Sequence, residues 1–261
     1  LKGFLLLIII IAEAAFAKGQ TMGWYELGAG TGALNANGPI WGLCADSRGN
    51  VYAGGYFTNS SGSQYVSIWN GKDWQQLGSD SSIFNAPGAI YQLGVDDSGS
   101  IYAAGLFGSV MKWNGTQWNQ LGNGEGALNA NGEVDALQIS GNYIFVSGGF
   151  TDSQGYNYVA EYDPITDSWR ELGTGDSALK ANGEIYYLGV AGINEVYAWG
   201  LFTDATDSYY VAKWNGEVWS KFGTAANSAS GAVCLSERQN CCKKGIQVVS
   251  FSSAAKPGVY M

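Results

Sequence analysis

Apolar and polar residues along this chain fall into short runs closed off by Gly, Asn, Asp or Ser, and the same order of runs returns four times. Residues 51–57 (VYAGGYF), 101–107 (IYAAGLF), 144–150 (IFVSGGF) and 196–202 (VYAWGLF) combine β-branched and aromatic residues with a Gly near the end. Each predicts a strand. An apolar run precedes each of them, beginning at Ile40, Ile90, Val134 or Ile185. Behind each comes a third run, YVSIW from Tyr65 being the first, and then a Trp-headed segment such as WQQLG from Trp74. Four strands per repeat, A to D, are therefore expected. Asn-Gly at 70, 114 and 215 joins C to D, and that dipeptide supplies the positive φ angles of a tight hairpin.

The Trp-headed ending sets the period. It occurs as WYELG from Trp24, WQQLG from Trp74, WNQLG from Trp118, WRELG from Trp169 and WSKFG from Trp219, in steps of 50, 44, 51 and 50 residues. A period in this range marks stacked supersecondary units, and four-stranded meanders repeated radially make a propeller of about 4 to 8 blades. The D-strand Trp and the next A strand are always 16 residues apart, and Tyr52, Tyr102, Phe145 and Tyr197 each precede the closing Phe by 5. The short repeat has lost its residues in the B to C loop: Phe107 to Trp113 is 6, where the other three intervals are 12. An even deletion leaves every strand face where it was. The expected fold class is all-β, a β-propeller of four complete four-stranded blades, with A innermost and D outermost. Residues 225–261 are expected either as a degenerate fifth blade, closed by the N-terminal D strand at 25–28, or as an irregular tail.

Tyr162-Asp-Pro-Ile-Thr-Asp-Ser-Trp169 behind Gly148-Gly149 resembles the kelch motif, which has a Gly pair on the second strand, then Tyr, six residues and Trp. The other repeats depart from it. Their turns are shorter (WNGKDW, WNGTQW, WNGEVW), and a second complete Gly pair stands only at Gly54-Gly55. The form WNG-x-x-W-x-x-LG, with LNANG ahead of strand A, is similar to repeats in secreted proteins of Bacteroidota. The resemblance covers residues 24–223 and implies a kelch-like β-propeller over 18–224, while leaving function open.

Composition adds exclusions. The chain of 261 residues is 46% hydrophobic and 13% charged, with 39 Gly, 10 Trp, 16 Tyr and 10 Phe, a mixture of strand and turn formers. Its net charge of -9 speaks against a phosphate-backbone partner, so nucleic acid is set aside. Lys2 precedes a nine-residue apolar run at 4–12, and Ala15-Phe16-Ala17 follows. That pattern predicts a signal peptide over 1–17, and the run is about half the ~20 residues a membrane span needs. A secreted or cell-surface protein with no membrane span after signal cleavage is expected. Cys44, Cys234, Cys241 and Cys242 permit three disulfide pairings, and none has zinc-site spacing. No His is present, which excludes Ser-His-Asp and Cys-His catalysis and imidazole-ligated metals. Neither a cofactor nor a metal is expected.

The longest connections, D to A and B to C, share one end of the strands, where binding residues on a rigid scaffold usually lie. There the second A-strand position holds Trp41, Tyr91, Asp135 and Tyr186. Three rings and a carboxylate suit the face and hydroxyls of a sugar; the competing reading packs them between blades. Asn59, Asp152, Asp204 and Asp207 in the B to C loops are candidate calcium ligands, or turn formers that bond their own backbone. Asp46, Asp96 and Asp97 are read as turn formers too. Glu133 and Glu184, at matching positions before A strands, are the carboxylate pair on which a glycosidase would depend. The function expected is that of a non-enzymatic module binding an extracellular glycan or protein. The alternatives are a polysaccharide-active glycosidase or lyase, or the propeller part of a larger exported protein.

Overall fold

The computed structural model describes residues 26–78, 84 and 86–222 and is all-β. The signal segment, Cys234, Cys241, Cys242 and the fifth-blade stretch lie outside the described residues. Two compact units divide between Gln120 and Leu121. In the first, one antiparallel sheet comprises β1 (Ile40–Ala45), β2 (Val51–Gly55), β3 (Ser67–Trp69) and β4 (Trp74–Gln76), and a second comprises β5 (Ile90–Val95), β6 (Ile101–Gly105), β7 (Val110–Trp113) and β8 (Trp118–Gln120). In the second unit, β9 (Val134–Ser140), β10 (Tyr143–Gly148), β11 (Ala160–Asp163) and β12 (Ser168–Glu171) make one sheet. The other is β13 (Tyr187–Gly192), β14 (Glu195–Trp199), β15 (Ala212–Trp214) and β16 (Trp219–Lys221). Every sheet keeps chain order, the blade construction of the β-propeller class. Strand A faces strand A in both units, β1 against β5 and β9 against β13, as the innermost position requires.

Strand B is the centre of each blade. Every residue of β2 and β6 is buried, so these strands read as continuous apolar runs and not as alternating ones. The Phe that closes run B is fully buried at Phe57, Phe150 and Phe202. In the shortened blade Phe107 is only half-buried, because the loop that would cover it is missing. Tyr52, Val66, Ile90, Leu93 and Ile101 form the core of the first unit. Phe145, Val159, Ile185, Phe202 and Trp214 form that of the second.

Strands C and D are held by aromatic pairs in direct cross-strand register. Trp69 faces Trp74, Trp113 faces Trp118, Tyr162 faces Trp169 and Trp214 faces Trp219, with ring centroids 5.4–6.0 Å apart. Such pairs are a main source of sheet stability. The indole N–H of Trp74, Trp169 and Trp219 then reaches one repeat back, donating to the carbonyl oxygens of Leu27, Leu121 and Leu172 at 2.9, 2.9 and 2.6 Å. Leu27 belongs to WYELG, so this N-terminal segment lies beside the first blade as an isolated D segment would. It forms no strand.

The C to D hairpins occur where expected, with a different turn. Asn70, Asn114 and Asn215 do not have positive φ; only Gly71, Gly115 and Gly216 do, at 94°, 98° and 97°. Four residues separate the paired Trp69 and Trp74, and the Asn70 side-chain oxygen accepts the backbone N–H groups of Lys72 and Asp73, both at 3.0 Å. Asn114 and Asn215 do the same in their own turns. Asn is there for its side chain and Gly for its backbone, which is an Asx-capped loop and not a two-residue turn.

Candidate functional site

The position singled out in strand A is the extra residue of a β-bulge. β1 pairs Ile40 with Gly55 and then Gly42 with Gly54, which leaves Trp41 unmatched. Tyr91 and Asp135 are skipped in the same way in β5 and β9. Gly is needed opposite each bulge: a Cβ on Gly55, Gly105 or Gly148 would stand 2.1 Å from the carbonyl oxygen of Pro39, Ala89 or Glu133. The fourth repeat keeps this contact, 2.0 Å between Gly200 and Glu184, although β13 begins only at Tyr187, two residues later than expected. Bulges turn one side chain away from the sheet and are frequent beside functional sites.

This register corrects the glycine pairing. Gly55, Gly105, Gly148 and Gly200 are the equivalent residues, so Gly54-Gly55 stands one position ahead of Gly148-Gly149 and is not a second kelch pair. The true counterparts of Gly149 are Tyr56, Leu106 and Leu201, each exposed. Sequence reasoning missed them as site residues because it counted them as strand. The usable signal was the large apolar residue directly behind the bulge Gly.

In the first unit the outcome is an exposed aromatic patch. Trp41 is 43% and Tyr56 49% exposed, and Tyr91 is half-buried. The Trp41 ring lies 4.8 Å from that of Tyr91, tilted by 48°, and 5.6 Å from that of Tyr56, edge-on. Leu106 adds exposed apolar surface from the equivalent position on the second blade. In the second unit Tyr186 is half-buried, with its ring 6.3 Å from that of Tyr187, which stacks on Trp199. Asp135 is 5% exposed and both its carboxylate oxygens are out of contact with solvent. Glu133 lies over Gly149, where a Cβ would come within 3.0 Å of its carboxyl carbon.

Three of the B to C loops are hydrogen-bonded turns. Oδ1 of Asn59, Asp152 and Asp204 accepts backbone N–H groups two and four residues on, from Ser61 and Ser63, Gln154 and Tyr156, and Thr206 and Ser208. Asp46 and Asp96 make the same turn between A and B. The turn-forming role of these residues is thus realised. Burial raises the Asp46 carboxyl, but hydrogen bonds from Asn50, Tyr52 and Arg48 together bring it below its ordinary value. A further clamp was not anticipated. Asn37, Asn131 and Asn182 in the D to A connections each accept the N–H, and donate to the hydroxyl, of Thr58, Thr151 and Thr203 in the following B to C loop. The shortened blade has Pro87 and Gly108 at those places and so loses both partners together.

Residues 136–175 match the kelch motif family. No curated protein sequence matches the chain. Among solved structures, it is similar to the extracellular domain assigned to a hybrid two component system, BT3049, of B. thetaiotaomicron, at 13% identity and a TM-score of 0.50, over 85% of this chain and 28% of that one. It is also similar to the WD40 β-propeller domain of Doa1, at 12% identity and a TM-score of 0.50, over 74% of this chain and 57% of that one. The chain thus spans less than two thirds of either. At these identities the likeness shows the fold alone. With the motif match it supports a kelch-like propeller, and a fold by itself does not assign a function.

Proposed function

We propose that this chain is a non-enzymatic binding module of a secreted or cell-surface protein, with residues 1–17 as its signal peptide and 18–224 as its propeller. Its ligand is an extracellular glycan, held by Trp41, Tyr56 and Tyr91. The observation that carries this reading is the exposed, contiguous ring patch at the bulges of β1 and β5. Large exposed rings at a loop-bearing strand end, lifted out of the sheet by bulges, offer flat apolar faces to a pyranose. Tyr186 occupies the equivalent position in the second unit and belongs to the same proposal. Asp135, enclosed by protein, contributes to the local fold and not to the ligand contact.

The test is a Trp41→Ala, Tyr91→Ala double variant, compared with the parent on a glycan array and in a polysaccharide pull-down, with the fold checked by circular dichroism. Retention should fall in the variant. Unchanged retention by a folded variant would move the site, capture of a protein and no glycan would change the ligand class, and release of reducing ends from the same polysaccharides would establish the glycosidase alternative.

A further inference from the structure

One place in the second unit reverses a charge between its two blades. In the fourth blade Asp204, which opens the B to C loop, receives Lys221 of β16: Nζ is 2.6 Å from Oδ2 and 5.7 Å from the centroid of the Tyr210 ring. The third blade carries the corresponding acid and ring. Asp152 opens the loop, Tyr158 supplies the ring, and Glu171 of β12 stands where Lys221 stands, two residues after the D-strand Trp. The cation has been replaced by a second anion. A cavity of about 160 Å³ lies here, lined by Asp152, Tyr158, Trp169, Arg170 and Glu171 with Ala127 and Leu128.

We propose that this cavity receives a primary ammonium group carried by a ligand, with Asp152 and Glu171 as counter-charges and Tyr158 as aromatic wall, in the place the Lys221 ammonium takes one blade on. The proposal is independent of the glycan reading, since it involves other residues and another chemistry. The local charges agree with it. Burial, then the charge of Asp152, pushes the Glu171 carboxyl above its ordinary range, with Lys180 acting against them. Burial, then Glu171 and Asp152, pushes the Tyr158 phenol up as well, so the three groups feel one another across the cavity. Among the described residues no cation lies within 4.0 Å of Asp152 or Glu171, and the Arg170 guanidinium is committed to Glu161 at 2.6 Å. An arriving ammonium would relieve the like-charge contact and gain the ring face. Calcium fits less well: it takes about 6 to 8 oxygens, and no group of three or more acidic, His or Cys side chains is gathered among the described residues.

The experiment is NMR titration of the ¹⁵N-labelled full chain with 1,5-diaminopentane, with a lysine-containing acetylated peptide and, separately, with calcium chloride. Saturable shifts confined to Asp152, Tyr158 and Glu171 and their neighbours are expected with the two ammonium probes. Affinity should fall about tenfold or more in Glu171→Lys, which fills the cavity as the fourth blade does, and also in Glu171→Gln. A tighter response to the peptide would identify the source as a lysine of a protein partner; a tighter response to the diamine, a free polyamine. No saturable shift, an equal response in Glu171→Lys, or a stronger response to calcium overturns the proposal.

Discussion

Trp219 Nε1–H donates to the carbonyl oxygen of Leu172 at 2.6 Å, across 47 residues of sequence, and so ties one D strand to the D strand before it. Trp118 is built the same way around its ring, against Trp113 and Phe84, yet among the described residues its buried Nε1 has no acceptor.

This difference yields a paired prediction. Trp219→Phe keeps most of the ring and leaves the Leu172 carbonyl unsatisfied, which should cost about 1–3 kcal/mol. Trp118→Phe should cost less, because it also removes a buried unsatisfied donor. Trp→Ala at either site loses the cross-strand pair and should cost about 3–5 kcal/mol. Urea unfolding of the four variants gives the ranking. Equal losses for the two Phe variants would show that the N–H bond contributes nothing.

Gly105 tests the bulge. A Cβ there would meet the Ala89 carbonyl oxygen at 2.1 Å, so Gly105→Ala has to shift the backbone that presents Tyr91. A loss of about 1–3 kcal/mol is expected, together with weakened ligand retention. Gly192→Ala is the control, since nothing lies within 4 Å of its Cβ position. A Gly105→Ala protein as stable as the control would rule out the close approach.

Cys44 carries a free thiol pushed up to about 12, by burial first and by the charge of Asp46 second. Only the thiolate is nucleophilic, and at pH 8 roughly one part in ten thousand of the thiol is in that form, so alkylation is slow. Iodoacetamide labelling followed by peptide mass spectrometry should find Cys44 nearly unmodified in the folded protein and promptly alkylated in urea. Rapid labelling of the folded chain would contradict this environment.

Tyr52 makes the blade sensitive to alkali. Its hydroxyl donates to Asp46 Oδ2 at 3.1 Å, and burial, then this bond and the Asp46 charge, raises it from 10.0 to about 12. A group raised in the folded state contributes stability that is whole below its unfolded value and is lost as pH climbs through the folded one. Thermal stability should therefore fall between pH 10 and 12. In Tyr52→Phe that decline should be shallower, while neutral-pH stability drops for want of the hydroxyl. An identical alkaline profile in parent and variant would remove Tyr52 as the cause.

The sequence by itself determined the repeat, the four strands of each blade and their order, because period, β-branched runs and turn residues are local properties that survive in one dimension. It also placed Trp41 and Tyr91 at one strand position. Only the tertiary structure decided what that position is, since a bulge is defined by the partner strand: Trp41 is unmatched because Gly55 lets the Pro39 carbonyl come close. Residues that share this bulge still differ in burial, which their surroundings in the fold decide. Trp41 and Tyr91 meet Tyr56 at an exposed patch, while Asp135 is enclosed. The Asn-Gly turns show the limit in the other direction, for the dipeptide announced a hairpin but not that Asn70 would cap it through its side chain. The charge reversal between Lys221 and Glu171 was present in the letters WSKFG and WRELG. It acquired meaning only when folding brought each beside an Asp and a Tyr some 11 to 19 residues earlier in the chain, a proximity that side-chain packing and not sequence spacing establishes.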